Sequence, residues 1–586
     1  MLLLTLRKPW NCRFLNYIAT ETVKNSKGNS YKLRRTNEKF EYYYKRLCPQ
    51  EEWDEALHAM RQPLPLSFRF TSSSPQSFLL SLFENKFGSN LKRVPWYEPF
   101  GYAWQIQGIH RWNLDSDAEI QKNILREWDL GHLYRQELVS MVPVHFLDIQ
   151  PHHRVLDMCA SPGSKTTQAL EYLGNDGFLI ANEFNKIRVT NLIGNLHKFS
   201  SSNAHLTLSE DGRYFPDIVM KDSSILQFDR IVCDVPCSGD GTIRKNPNVW
   251  LNWHPARGNE RHHLQYSIAA RSIELLKPGG IMVYSSCAMN PIENEAVISR
   301  LLRDFEGDIF IINPPNAIAL NYAQGFVSWD VFDKQMNIHK EYLSGNNNGQ
   351  ISPHLFPPKE DWIREQLLKT MRFQPHFNDD GGFFVAYIKK KNDSLKKISN
   401  RKNQNLKRSK NMLLPKTIGS DIFKVKKTLD LLGICHVELE GFFQYTSQYC
   451  SKKIRSTSKE LLDICQHNPH LNIAGIGNVV LKEESRISSP LTHKFPTSYI
   501  HNPLKKKITK RTMYISLVDF KKLLKSEYLS SDEFPRAEEG LIIFVINNDN
   551  DGNKVESCLG YIGTSRISLN ITPSMREHFC LKYTAF

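Results

Sequence analysis

Two cysteines in this 586-residue chain stand where a thiol could react. Cys237 lies in Asp234-Val235-Pro236-Cys237-Ser238-Gly239-Asp240-Gly241-Thr242, and Cys287 closes Tyr284-Ser285-Ser286-Cys287. Each follows an apolar run of strand length. A lone cysteine is most often a small core residue, but two at the tips of neighbouring strands are poorly explained as core, and a thiol there, once ionised, is a nucleophile. A third segment, Cys159-Ala160-Ser161-Pro162-Gly163-Ser164-Lys165-Thr166-Thr167, is a turn of small residues running into a helical stretch. Small side chains let a ligand approach the backbone, and a helix start offers free N–H groups. About twenty residues on, Glu183 ends another apolar run, where an acid typically accepts hydrogen bonds from a ribose diol. A structural turn and a helix-capping carboxylate would look the same when each is taken alone. Together their spacing points to a nucleoside-bearing cofactor, and it does not separate NAD from S-adenosylmethionine.

These residues need a scaffold that brings strand ends together. Between 151 and 390, apolar runs alternate with helix-period stretches, the pattern of a doubly wound, mostly parallel α/β sheet. The strands expected are 154–159, 178–183, 228–235, 281–285 and 383–388. Helices are expected over 165–173, stopped by Gly174, and 261–276, stopped by Pro278-Gly279-Gly280. Ligands of such a sheet bind beyond the carboxyl ends of its strands, which is where Cys159, Glu183, Asp234, Cys237 and Cys287 fall.

Composition divides the rest of the chain. Residues 1–35 read as a disordered basic leader, with a mitochondrial presequence as the sharper alternative. Residues 36–150 mix helix and strand patterns. A basic linker, 391–419, follows a run of cations that begins at Lys389. From Lys389 to Lys410 there are ten Lys or Arg against one acid, Asp393, and this run supplies most of the net charge of +15. It reads as a tether, an import signal or an RNA contact. Residues 420–586 show short strand-like runs, 513–517 and 541–546 among them, and suggest a small β-rich domain. The excess of 76 Lys and Arg over 61 Asp and Glu suits a polyanionic partner. No apolar run approaches the ~18 residues of a membrane span. Eleven cysteines without a Cys-x-x-Cys pair argue against a disulfide framework and a zinc site, so no metal is expected and the thiols are expected to be reduced.

The motifs together resemble the Nop/Sun-type RNA cytosine-5 methyltransferases. The match runs through Asp157-Met158-Cys159-Ala160-Ser161-Pro162-Gly163-Ser164-Lys165-Thr166, the Cys237 and Cys287 segments, Asn290-Pro291-Ile292-Glu293-Asn294-Glu295 and Gly381-Gly382-Phe383-Phe384-Val385-Ala386. Arg135-Gln136-Glu137, Ser140-Met141-Val142-Pro143 and Arg244-Lys245-Asn246-Pro247 are most similar to the branch that modifies several sites in eukaryotic tRNA. Ser286 and Ser161 depart from the usual Thr and Ala, both small replacements. The resemblance covers about residues 36–390 and fits the last 170 only weakly. It implies a class I methyltransferase fold, S-adenosylmethionine as cofactor, and RNA, foremost tRNA, as partner. A monomer is expected, in the nucleus if the basic run acts as an import signal and in the mitochondrion if the leader is a presequence. By the same resemblance Cys287 attacks the base and Cys237 aids release. Asp234 contacts the ring edge, Lys165 reaches the base carbonyl and Asp211 holds the adenine side of the cofactor. Residues 159–165, Glu183 and Asp234 complete the expected cofactor site. A ribosomal RNA substrate and an idle RNA-binding scaffold are the alternatives; an oxidoreductase is disfavoured because the loop lacks Gly-x-Gly-x-x-Gly. Arg244, Lys245, Trp250, Trp253 and His254 could serve RNA, the aromatics by stacking on bases, or form core under a loop.

Overall fold

The computed structural model describes residues 22–24, 30–32, 35–97 except 73, 103–110, 118–313 except 200, 201 and 203, 320–342, 351–393, 415–417 and, between 422 and 584, a series of shorter stretches. Most of the basic leader, and the linker from 394 to 414, lie outside the described residues.

The sheet that carries the strand tips has ten strands. Five are parallel: β1 (Arg154–Asp157), β2 (Phe178–Asn182), β3 (His205–Leu208), β4 (Phe228–Asp234) and β5 (Leu276–Ser286), side by side in the order β5-β4-β1-β2-β3. The order reverses between β1 and β4, which opens a crevice above their carboxyl ends. Beyond β5 the sheet turns antiparallel through β6 (Ile309–Ile312), β7 (Ala323–Gln324), β8 (Met371–Phe373) and β9 (Phe383–Lys390). Strand β9 pairs with β5, β6 and β8, and β7 pairs with β8.

The strands are apolar because both faces are covered. Successive residues of one strand enter different cores: Leu156 and Ile231 pack with Ala269 and Ile273, whereas Val155 and Val232 pack with Leu170, Leu192 and Leu196. Helices α1 (Ser164–Tyr172) and α2 (Lys186–Phe199) therefore cover one face, and α3 (Ala256–Leu275) and α4 (Glu295–Asp304) the other. The sequence places β5 at 281–285, but the chain passes from α3 straight into strand at Leu276. It tolerates Pro278-Gly279-Gly280 because pairing with β4 is irregular there, and Gly279 takes a positive φ of 78° that favours glycine. Lys389 and Lys390 belong to β9 rather than to a tether. Lys390 is buried and donates to the carbonyls of Ile273 (3.0 Å) and Leu276 (2.8 Å).

The N-terminal part steadies helix α1. A four-stranded antiparallel sheet, ordered 91–93, 103–110, 65–70, 133–135, is backed by helices Gln76–Phe87 and Ala118–Asp129. From its third strand, buried Arg69 reaches Glu171 (2.7 Å) and Thr167 (3.0 Å) on α1 and Gln136 (3.0 Å) beside it. The C-terminal part holds two five-stranded sheets with helices Ile422–Leu431, Lys459–His467, Leu517–Lys525 and Pro573–Thr584. Position 420 marks a change of composition rather than a break in packing. The strand β10 (Ile473–Ile476) leaves this part and pairs antiparallel with β3, covering what would be an open sheet edge. Residues from both ends also meet at Glu127, whose carboxylate contacts His132 and His578. No helix among the described residues is long and apolar enough to cross a membrane.

Candidate active site

Strands β4 and β5 run in register, so Asp234 pairs with Ser285 and the loops that leave both strands begin side by side. The consequence is direct: Cys237 Sγ and Cys287 Sγ lie 3.1 Å apart, both partly exposed and unbridged. The loops are tied further by Gly241 N donating to Cys287 O (2.9 Å) and Val235 N to Ser285 O (3.0 Å). A Cβ on Gly241 would meet Gly382 and Cys287 backbone at 2.2–2.8 Å, so glycine is what permits this closeness. Contact with the Cys287 sulfur, then burial, pushes the Cys237 thiol well above its ordinary range.

Beside the sulfurs lies an ion pair. Lys165, in the first turn of α1, donates from Nζ to Asp234 Oδ2 (2.8 Å) and to Ser140 Oγ (3.0 Å). The other carboxylate oxygen of Asp234 accepts from Ser285 Oγ (2.7 Å). The Lys165 side chain is buried, Asp234 is about a third exposed, and the ring of Phe383 lies 5.2 Å from Nζ. A cation at a helix start opposes the helix dipole; here Asp234 offsets it. The sequence had no signal for Ser140 or Ser285 as partners beyond their presence in the motifs.

The turn after β1 meets the requirements of a nucleoside-bearing cofactor with a charged tail. Gly163 caps α1 at φ 108°, and a Cβ there would come within 3.0 Å of Leu192. No side chain among the described residues caps the helix, which leaves its N–H groups to an outside acceptor. Asp157 is buried under the turn, with Oδ2 accepting from Thr166 Oγ1 (2.7 Å) and Oδ1 without a partner among the described residues. Burial pushes its carboxyl up to about 7. Glu183 follows β2 at the crevice and accepts from Asn185 N (2.8 Å), with Arg188 at 3.3 Å. It thus helps start α2, and its side chain is only slightly exposed. Asp211 follows β3; burial raises its carboxyl, but the bonds from Arg213 offset this and hold it below the ordinary range. The rings of Phe184 and Tyr214, next to these two acids, are about two-thirds exposed.

The structure separates the residues that follow β4. Trp250 and Trp253 are buried in one core with Phe40, Tyr43 and Tyr44, so they are not a platform for bases. Arg244 is buried as well, donating to the carbonyls of Gln62, Pro63 and Asp380 and to Asp379. Apolar spacing could have flagged this, because Ile243, Val249, Trp250 and Trp253 recur at helical intervals. Lys245 stays about a third exposed, paired to Glu137. Two further residues escaped the sequence reading. Asp240 accepts from Met289 N (2.7 Å), Trp253 Nε1 (3.1 Å) and Tyr44, and so fastens both cysteine loops to the N-terminal helix Glu38–Lys45. Glu293 accepts from Ser238 N (2.8 Å), next to Cys237.

A parallel α/β sheet with a cofactor-type turn at β1 and reactive groups at the tips of β4 and β5 defines a class I methyltransferase architecture. The family model described as 16S rRNA methyltransferase RsmB/F matches residues 144–389, the segment that holds the five parallel strands. The chain is 38% identical over 396 residues to the multisite-specific tRNA:(cytosine-C(5))-methyltransferase of Saccharomyces cerevisiae, covering 62% of this chain and 57% of that protein. It is 34% identical over 400 residues to the tRNA (cytosine(34)-C(5))-methyltransferase of Drosophila melanogaster, covering 61% and 53%. It is 30% identical over 359 residues to the tRNA (cytosine(49)-C(5))-methyltransferase of Pyrococcus abyssi, covering 61% of this chain and 97% of that protein. The chain belongs to the RsmB/F, or Nop/Sun-type, methyltransferase family. It spans little more than half the length of the Saccharomyces and Drosophila proteins. The cofactor of the family is S-adenosylmethionine, and residues 159–165, Glu183 and Asp211 are the groups that would hold it.

Proposed function

We propose that the chain is a tRNA (cytosine-5) methyltransferase working through a covalent cysteine–cytosine adduct. The observation that carries this reading is the pair of sulfurs 3.1 Å apart beside the Lys165–Asp234 ion pair. Carbon 5 of cytosine is a weak nucleophile. A thiolate adding to carbon 6 breaks the ring conjugation and moves negative charge to carbon 5, splitting one hard step into two easier ones. Cys287 is the attacking sulfur in this reading, because the resemblance to the RNA enzymes spans both cysteine motifs and both cysteines are present. Lys165 stabilises the charge that develops near the base carbonyl, and Asp234 contacts N3 or the exocyclic amine, which favours cytosine over uracil. When bound, S-adenosylmethionine supplies an electrophilic methyl group. After methylation, Cys237 takes the proton from carbon 5 so that the carbon–sulfur bond to Cys287 can break.

Carbon 5 is out of reach inside a stacked helix, so the target base is unpaired or extruded. The basic residues of the chain give RNA affinity through phosphate contacts, with steep salt dependence. The ten cations from Lys389 to Lys410, of which those from 394 on lie outside the described residues, support a nuclear location as a further part of the proposal. The test is to incubate the full chain with methyl-labelled S-adenosylmethionine and separate tRNA and ribosomal RNA transcripts, then digest to nucleosides. Label in 5-methylcytosine from tRNA supports the reading. Label from ribosomal RNA alone moves the substrate, and none from either leaves the idle scaffold.

A further inference from the structure

Asp234 sets the choice of base in the reading given above, and one neighbour fixes how its carboxylate stands. Strands β4 and β5 run parallel, with Asp234 and Ser285 in register. Side chains alternate between the two faces of a strand, so partners in register share a face. Ser285 is fully buried, and its hydroxyl donates to Asp234 Oδ1 (2.7 Å). Ser286, the next residue, belongs to the opposite face and donates to Asn294 Oδ1 (2.6 Å), ahead of α4. Adjoining serines thus serve different partners. Joining the strands does not call for the Ser285 side chain, because Val235 N already donates to Ser285 O (3.0 Å).

Lys165 holds the same carboxylate by its other oxygen. Nζ donates to Asp234 Oδ2 (2.8 Å) and to Ser140 Oγ (3.0 Å). An ionised carboxylate offers about four acceptor sites, and an ammonium group three N–H donors. Among the described residues, these bonds leave one N–H on Lys165 and a lone pair on each oxygen of Asp234. Acceptors beside a donor complement the pairing edge of cytosine, where an amine donates and a carbonyl accepts. Uracil has a carbonyl in place of that amine, so an acceptor would face an acceptor. The distinction needs a carboxylate that cannot turn. Rotation about the Cβ–Cγ bond of an aspartate is otherwise broad, and a charge-assisted bond on each oxygen stops it.

We propose that Ser285 is a positioning residue for base selection: its hydroxyl holds the plane of the Asp234 carboxylate so that the amine of cytosine is accepted and the carbonyl of uracil is turned away. This rests on the methyltransferase reading given above. Without the serine hydroxyl, Asp234 is tied through Oδ2 alone and can turn about that bond. Its free lone pairs then no longer keep a fixed direction toward the base.

Variants of the full chain test this with tRNA transcripts carrying 5-fluorocytosine or 5-fluorouracil at the position that the unmodified chain methylates. Fluorine on carbon 5 leaves no proton to remove, so the adduct persists and denaturing electrophoresis counts it. Ser285→Ala should slow adduct formation on 5-fluorocytosine by about tenfold or more, the loss expected for a bond to a charged group. It should also lower the ratio of 5-fluorocytosine to 5-fluorouracil adducts by about tenfold. Ser285→Thr, which keeps the hydroxyl, should restore both, and S-adenosylmethionine affinity should be unchanged in either variant. An unchanged ratio or no 5-fluorouracil adduct in Ser285→Ala, or equal losses in Ser285→Thr, overturns the proposal. Should the alanine chain fail to fold, Ser285→Val against the isosteric Ser285→Thr makes the same comparison with the same outcomes. An unmodified chain that methylates, beside an unaltered Ser285→Ala, removes the role of Ser285 alone. No adduct and no 5-methylcytosine from the unmodified chain removes the methyltransferase reading and this proposal with it.

Discussion

Glu127 and Glu293 are both fully buried carboxylates, and their surroundings differ in one respect that decides what each can do. Glu127 accepts from Arg126 Nε (2.7 Å) and faces His132 Nδ1 (2.8 Å) and His578 Nδ1 (3.0 Å). Burial alone would raise its carboxyl, but the bonds from His132 and His578 more than offset that and hold it far below the ordinary range. Glu293 is buried to the same degree with amide donors only, and burial drives it up to about 7. A buried carboxylate given charged or ionisable partners becomes a fixed strut, here joining the helix Ala118–Asp129 to the C-terminal helix Pro573–Thr584. One given neutral donors can exchange a proton. The first ties two helices together, and the second holds the loop of Cys237 through Ser238 N.

Breaking the strut should have the largest effect. Glu127→Ala leaves Arg126 and two histidines buried without their acid and should cost about 3–5 kcal/mol in denaturant unfolding of the full chain. A loss no larger than that of a surface substitution would show the strut to be idle. Next in size is the ion pair at the strand tips. Lys165→Met should lower single-turnover methyl transfer by a factor on the order of 10²–10³, as loss of a preorganised charge does, while the melting temperature stays close to that of the unmodified chain. An active Lys165→Met would confine this lysine to a structural tie with Ser140.

The two acids should also give opposite pH signatures of stability. Glu127 has a depressed folded value, so its contribution is present above the ordinary range near 4.3 and fades as pH falls. Glu293 has a raised one, so it costs stability as pH rises from about 4.3 to about 7. Glu293→Gln should thus stabilise the chain above about pH 7, by up to roughly 3 kcal/mol, and leave it unchanged near pH 4. Urea titrations at the two pH values decide this; equal stability gains at both would remove the ionisation from the explanation. The smallest expected effect is on cofactor affinity. Glu183→Ala should weaken S-adenosylmethionine binding by about 1–3 kcal/mol. Calorimetry with unchanged affinity would leave Glu183 as a helix cap through Asn185 and nothing more.

The parallel strands were legible because burial on both faces writes itself into apolar runs such as Phe228–Asp234. The strand tips were legible because glycine, proline and cysteine mark where such runs stop. What escaped depends on pairing across the chain. Nothing in Ile473–Ile476 announces that it will cover the edge of β3, since an edge strand reads the same wherever it docks. Trp250 and Trp253 are indistinguishable from stacking aromatics until Phe40, Tyr43 and Tyr44 are packed against them. Asp240 and Glu293 were in the quoted motifs, but their roles arise from partners more than forty residues away, Met289, Tyr44 and Ser238.

The division of labour between the two sulfurs is the central claim, and denaturing electrophoresis of the protein with tRNA and S-adenosylmethionine tests it most directly. Cys237→Ala should still attack and then stall, giving a protein–RNA band that survives denaturation. Cys287→Ala and the double variant should give no band and no methylated product. A stable band in Cys287→Ala, lost when Cys237 is also replaced, would contradict the account and make Cys237 the nucleophile.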